Sequence, residues 1–366
     1  MVGPAAGPPR LYDFFAQTPL ARQSGARAFP LEADFGSTRQ VFHLGAGSMA
    51  TPGCVAGLLR LHADMGALPL HECAAPARDL AREGVSINRH AAQLLAVVSD
   101  LYRATPEASA LFQSRRSSEG CLREGETFHN PAFENFLDML IAEGARWFYE
   151  GDIGRLIEST CREEGGHLRR ADFEQYAVIL REPLMVARQG SRIWINPPPS
   201  MGGTLMAIGL SLREPPPPAE FPFRKREDWL HWIEPLRLMS LLRSGNAGRD
   251  VSSGEEALLD NTLQADHDRR RALSVLFSEM LPHLRSQGTT QISVMDSAGN
   301  AISMTTSNGA GSAVIPEGTG FMMNNMLGEE DLQPAGPDTW EPGRRLASMM
   351  APVIAELPDG ARIVTG

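Results

Sequence analysis

The run TTQISVMDSAGNAISMTTSNGAGS, Thr289 to Ser312, follows Gly288 and decides how this chain is read. Residues 290–296 alternate and are rich in Ile and Val, Ser297-Ala298-Gly299-Asn300 is turn chemistry, and Ala301 to Thr306 alternates again. That pattern predicts a β-hairpin with Thr289 at its outer end, directly after a glycine. A threonine hydroxyl is a weak nucleophile at neutral pH. A chain cut between Gly288 and Thr289 would put a free α-amino group, titrating at about 7.7–8.0, on the same residue, where it can take the hydroxyl proton. On local sequence alone, a Thr-Thr pair opening a strand is accounted for by β-propensity.

Composition narrows the classes. The 366 residues, 42% hydrophobic and 21% charged, are ordinary globular usage and long enough for about two domains. A formal charge of -10 argues against a nucleic-acid partner, because phosphate binding needs clustered cations. The densest basic run, Arg269-Arg270-Arg271, is flanked by Asp266 and Asp268 and reads as a solvated helix face. Cys54, Cys73, Cys121 and Cys161 form no CxxC pair, so buried free thiols are expected rather than a disulfide framework or zinc ribbon. No apolar run reaches the length of about 20 residues that a membrane span needs.

Competing motifs are weaker. Gly45-Ala46-Gly47-Ser48-Met49-Ala50 follows a predicted strand, Gln40 to Leu44, with dinucleotide-fingerprint spacing. Pro52 and the lack of a clear following βαβ unit favour a glycine turn leading into a helix. Nine histidines include no HExxH, and no GxSxG elbow occurs, so neither a metal nor a cofactor is expected. Helices are predicted over Pro52–Met65, Glu72–Arg82, His90–Tyr102, Phe133–Tyr149, Asp172–Leu180, Arg226–Leu242 and Glu255–Leu281. A strand is predicted over Arg192–Asn196, and an extended linker over Pro215–Pro218. The mixture is α/β, and periodicity leaves its arrangement open.

Seven further motifs occur in order: YDFFAQTP (residues 12–19), GSMATPGCVAGLLRLHADMGALPL (47–70), FHNPAF (128–133), FYEGDIG (148–154), INPPPSMGG (195–203), PEGTGFMMNNMLGEEDL (316–332) and RRLASMMAPV (344–353). With the run at Thr289, this order resembles the γ-glutamyltranspeptidases, a family of N-terminal-nucleophile hydrolases. The resemblance implies an α+β fold, a four-layer αββα sandwich, built from one precursor. Residues 1–288 would form the large-subunit portion and 289–366 the small-subunit portion. It implies self-cleavage between Gly288 and Thr289, with Thr289 as nucleophile. The substrate would be a small γ-glutamyl amide such as glutathione, and the acceptor an amino acid or water.

Supporting roles follow from the same resemblance. Ser307 and Asn308 match residues that hydrogen-bond the nucleophile and the substrate's α-carboxylate region. Glu329, with Glu330 as neighbouring alternative, matches an acid receiving the substrate ammonium, and Ser348 matches the second of a carboxylate-binding serine pair. The chain departs from the pattern at Ala347, at Phe15 where an arginine is usual, at Gln291 where a histidine is frequent, and at Met201 in the Ser-Ser-Gly-Gly segment. These departures open two alternatives, an acylase for glutaryl or cephalosporin-type amides and a non-catalytic fragment. The resemblance also implies a further N-terminal block, often with an export signal in bacteria, and a Gly-Gly soon after Gly366, so the chain is expected to be an internal part of a longer precursor.

Overall fold

The computed structural model describes residues 1–5, 7–34, 39–212, 236, 239, 289–330, 332–333, 336 and 339–366. The elements run β1 (Val2–Gly3), β2 (Leu11–Asp13), β3 (Phe29–Asp34), β4 (Arg39–Leu44), α1 (Cys54–Met65), α2 (Leu70–Glu83), β5 (Val85–Ser86), α3 (Arg89–Val97) and α4 (Pro106–Phe112). There follow β6 (Thr127–Phe128), α5 (Pro131–Glu143), α6 (Ala145–Tyr149), α7 (Asp152–Glu164), α8 (Arg170–Glu174), β7 (Ile179–Arg181), β8 (Leu184–Arg188) and β9 (Ser191–Ile195). The last are α9 (Met201–Leu212), β10 (Thr289–Met295), β11 (Ala301–Ser307), β12 (Val353–Glu356) and β13 (Arg362–Thr365). The predicted helices Arg226–Leu242 and Glu255–Leu281, the Pro215–Pro218 linker and the Arg269–Arg271 run lie outside the described residues, apart from Leu236 and Met239. No described helix is long and apolar enough to cross a membrane.

The chain divides into two compact units, each taking segments from both sides of Thr289. The first comprises Met1–Asp13, Ile179–Ser307 and Ala347–Gly366. It holds a three-stranded sheet, β1-β11-β10, and a four-stranded sheet, β13-β12-β9-β8, both antiparallel. Period-two alternation decides which faces are buried. Trp194 and Ile354 point to one side of the larger sheet and cluster with Met1, Leu11, Ala301 and Val364. Ile193, Ile195 and Val353 point to the other and pack with Ala207, Met206 and Leu210 of α9. Helix, sheet and sheet therefore stack in that order, three of the four expected layers among the described residues.

The second unit comprises Phe14–Val178 and Asn308–Leu346. Its largest core gathers Phe136, Phe148, Tyr149, Phe173 and Tyr176 around Ile157, Leu168 and Met49. Rings meet edge to face, as Phe136 does with Phe321 at 4.9 Å between centroids, a geometry their quadrupoles favour. Helix α7 contributes Ile153, Ile157 and Cys161, one stripe at a spacing of four. Burial pushes the Cys161 thiol up to about 12, which leaves it unreactive. A buried carboxylate organises the loop before β6. Glu126 accepts from Ser114 Oγ and from the backbone N–H groups of Arg115, Arg116 and Arg123, at 2.7–3.2 Å.

Three expectations need correction. The helix predicted over Phe133–Tyr149 is two helices, because Gly144 has φ 72, a left-handed conformation that ends α5 and starts α6. Its start is Pro131, capped by Asn130 Oδ1 accepting from Phe133 N at 3.1 Å. The helix predicted over Asp172–Leu180 is the short α8 followed by β7, which pairs with β2 and is tied to it by Arg181 and Asp13 at 2.8 Å. Of the four thiols, Cys121 and Cys161 are buried as expected, whereas Cys54 and Cys73 are exposed on α1 and α2.

Candidate active site

The hairpin forms as its alternation predicts, with Thr289 facing Ser307 and Met295 facing Ala301 at the turn end. Asp296 closes the turn: its Oδ1 accepts from Ala298 N at 2.9 Å and from Asn300 N at 2.8 Å, and Gly299 supplies φ 89. Thr289 and Ser307 are thus opposed residues at the open end, with Cβ atoms about 4.5–5.5 Å apart as in any directly facing pair. They share a face with Gln291, Ser303, Thr305 and Ala301, and Ala301 belongs to the core cluster beneath the larger sheet. Gly288 lies outside the described residues.

Ser348 sits in the same unit, 9% exposed, in a parallel bridge with Ser200. Its carbonyl accepts from Gly202 N at 3.0 Å. Ser200 caps α9, its Oγ accepting from Gly203 N at 3.2 Å and donating to the Met350 carbonyl at 3.0 Å. The glycines are required by this approach. A Cβ at Gly202 would stand 2.1 Å from the Met349 carbonyl oxygen, and one at Gly203 would stand 2.2 Å from that of Asn196.

Asn308 and Glu329 belong to the second unit, where the loop Asn308–Gly311 curls over two buried side chains. Glu329, 3% exposed, accepts from Ala310 N at 3.0 Å. Asn325 Oδ1 accepts from the same N–H at 2.9 Å and from Gly311 N at 3.1 Å. Gly309 makes this possible: at φ 64, a Cβ would lie 2.2 Å from Asn325 Oδ1 and 2.6 Å from Glu329 Oε1. Asn308 Nδ2 donates to the Met322 and Met323 carbonyls at 3.0 and 3.3 Å, which holds the loop in place. Glu329 is buried and Glu330 only half-buried, so the loop is built around the former.

Sequence reasoning misses Asn325 and Asn324. Asn325 is fully buried, and Asn324 holds the GSMAT segment by exchanging hydrogen bonds with Ala50, Nδ2 to O at 2.9 Å and N to Oδ1 at 3.0 Å. The signal available was the amide doublet itself inside an apolar stretch, since buried amides must find partners. Phe15 packs its ring against the cluster of Ala16, Ala50, Met326, Leu327, Trp340 and Leu346. Its carbonyl accepts from Tyr176 Oη at 2.8 Å and from Arg345, whose guanidinium lies 4.5 Å over the Tyr176 ring. Among the described residues no group of three or more His, Cys, Asp or Glu side chains is placed to hold a metal ion.

Comparisons with known proteins bear on both fold and family. The chain is 29% identical over 325 residues to the acylase ACY 1 proenzyme of Pseudomonas sp. strain V22, covering 85% of this chain and 56% of that protein. It is 28% identical over 342 residues to glutathione hydrolase 2 of Arabidopsis thaliana, covering 86% and 58%. The chain therefore spans somewhat over half the length of these relatives. The crystal structure of a cephalosporin acylase from Bacillus halodurans superposes with a TM-score of 0.65 at 19% identity, over 94% of this chain and 69% of that one. This likeness shows a shared α+β fold. The family model for gamma-glutamyltranspeptidase matches residues 7–366. Nearly the whole chain answers to that one description, and it belongs to the gamma-glutamyltranspeptidase family.

Proposed function

We propose that this chain belongs to a γ-glutamyl-transferring and glutathione-hydrolysing enzyme whose nucleophile is Thr289. In the precursor, the Thr289 hydroxyl attacks the Gly288 carbonyl, and the peptide shifts from nitrogen to oxygen. Water then hydrolyses the ester, leaving Gly288 with a carboxylate and Thr289 with a free amine. Residues 1–288 become the large-subunit portion and 289–366 the small-subunit portion. In turnover the amine accepts the hydroxyl proton as Oγ attacks the γ-glutamyl carbonyl of glutathione or a related amide. The leaving amine takes a proton, and the acyl ester passes to water or to the amine of an amino acid.

The facing pair Thr289 and Ser307 carries this reading: it sets a second hydroxyl opposite the nucleophile at the open end of the hairpin. Ser307 orients Thr289, the buried Glu329 receives the substrate ammonium, and Asn308 and Ser348 serve its carboxylate region. Glu329 accepts from Ala310 N at 3.0 Å, and a carboxylate suits that cation. Phe15 favours a second reading, an acylase for glutaryl or cephalosporin-type side chains. Its ring joins an apolar cluster where carboxylate recognition would call for a guanidinium. The test is a competition between γ-glutamyl-p-nitroanilide and glutaryl amides: turnover of the first supports γ-glutamyl transfer, and turnover of the second alone supports the acylase.

A further inference from the structure

Four polar side chains meet beneath the hairpin. Alternation turns Gln291 of β10 and Ser303 and Thr305 of β11 toward β13, while Ile292, Val294 and Ile302 stay exposed. Ser303 is fully buried, and its Oγ lies 2.6 Å from the Thr365 carbonyl oxygen and 2.9 Å from Gln291 Nε2. A carbonyl can only accept, so the Ser303 proton is committed to Thr365 and Ser303 must accept from Gln291. This fixes the amide orientation: its NH2 faces Ser303, and its oxygen faces Thr305, whose hydroxyl donates to it. Nε2 also lies 3.0 Å from Ser293 Oγ. The space is filled, since a Cβ on Gly366 would stand 2.4 Å from Gln291 Oε1.

The network sits one step along the strand from Thr289. Gln291 is two residues on and faces Thr305, itself two residues before Ser307. In the order β1-β11-β10, strand β10 lies at the sheet edge among the described residues, and all its residues but Gln291 are exposed. An edge strand held by one ladder frays at its end, and a displacement of about 1 Å costs roughly a hundredfold in rate where a nucleophile must be aligned. We propose that Gln291 is a positioning residue: its amide ties the strand of Thr289 to β11 through Thr305 and, through Ser303, to β13 of the facing sheet. The role rests on Thr289 being the nucleophile. It needs one donor and one acceptor on the same side chain, which glutamine provides and aliphatic residues do not.

The test compares kcat and KM for γ-glutamyl-p-nitroanilide in the full chain. Gln291→Met lowers kcat about tenfold, the cost of a lost buried hydrogen bond, with KM unchanged. Thr305→Val does the same, and the double substitution is no worse than either, because both cut one network. Gln291→His, whose neutral ring also offers a donor and an acceptor, keeps kcat near wild type. Ile354→Val, a core change in the same unit, lowers stability with wild-type kcat. Should Gln291→Met fail to fold, Thr305→Val carries the same comparison. Wild-type kcat in both network variants, or an equal kcat loss in Ile354→Val, overturns the role alone. A wild-type chain that neither splits before Thr289 nor turns over removes the assignment of Thr289 and this role with it.

Discussion

The hairpin of the first unit and the aromatic core of the second bury opposite chemistries. Beneath the hairpin the interior is a row of hydroxyls and an amide, and the apolar side chains Ile292 and Val294 are left 41% and 54% exposed. Around α7 the interior is rings and aliphatics, with Phe173, Ile157 and Leu168 fully buried. Burying a large apolar side chain stabilises a fold by about 1.5–3 kcal/mol, whereas a buried hydrogen bond nets about 1 kcal/mol. The second region therefore supplies stability, and the first spends its interior on orienting polar groups.

That contrast can be broken by substitution. Thr289→Ala should abolish processing and bring turnover down to the uncatalysed background while leaving the thermal midpoint near wild type. A large drop in midpoint would mean that the hairpin is structural after all. Phe173→Ala should cost about 3–5 kcal/mol in denaturant unfolding, because it empties the centre of the ring cluster. A loss under about 1 kcal/mol would show the second core to be loosely packed.

Glu329→Gln keeps an acceptor for Ala310 N but removes the charge, so it should raise KM for a γ-glutamyl substrate about tenfold or more with stability nearly unchanged. For a glutaryl amide, which carries no ammonium, the same change should leave KM alone. Glu126→Gln sharpens the comparison at its weakest effect. Burial acts to raise the Glu126 carboxyl, but the hydrogen bonds from Arg123, Ser114, Arg115 and Arg116 outweigh it and hold the group below its ordinary range. A carboxyl depressed on folding stabilises above its unfolded value of about 4.3, and that contribution is lost as pH falls through the folded one. Unfolding titrations should show Glu126→Gln less stable at pH 7, with the gap closing as the medium becomes acid. A gap of constant size would put the effect elsewhere.

Local pattern is enough for the hairpin, because its strands pair with each other across the five residues Asp296 to Asn300 and each face announces itself by alternation. It is not enough for β7. Residues 172–180 carry apolar side chains at helical spacing, yet Ile179–Arg181 pairs with Leu11–Asp13, far away in sequence, and tertiary pairing outweighs propensity. The break at Gly144 was hidden because apolar periodicity continues on both sides, and only the backbone conformation reveals the left-handed turn. Exposure of Cys54 and Cys73 was equally hidden, since a single small residue does not reveal which helix face it occupies. Of the candidate residues, Thr289, Ser307 and Glu329 are legible from motif order. Asn325 and the Gln291 network are not, because hydrogen bonding between buried amides and backbone depends on loop closure rather than on spacing.

The most direct measurement is N-terminal sequencing, with intact mass, of a precursor that hydrolyses a γ-glutamyl amide. A new chain beginning Thr289-Thr290-Gln291, absent in Thr289→Ala, is the predicted result. An active preparation that stays whole, or that splits elsewhere, would contradict the assignment of Thr289 as both nucleophile and base.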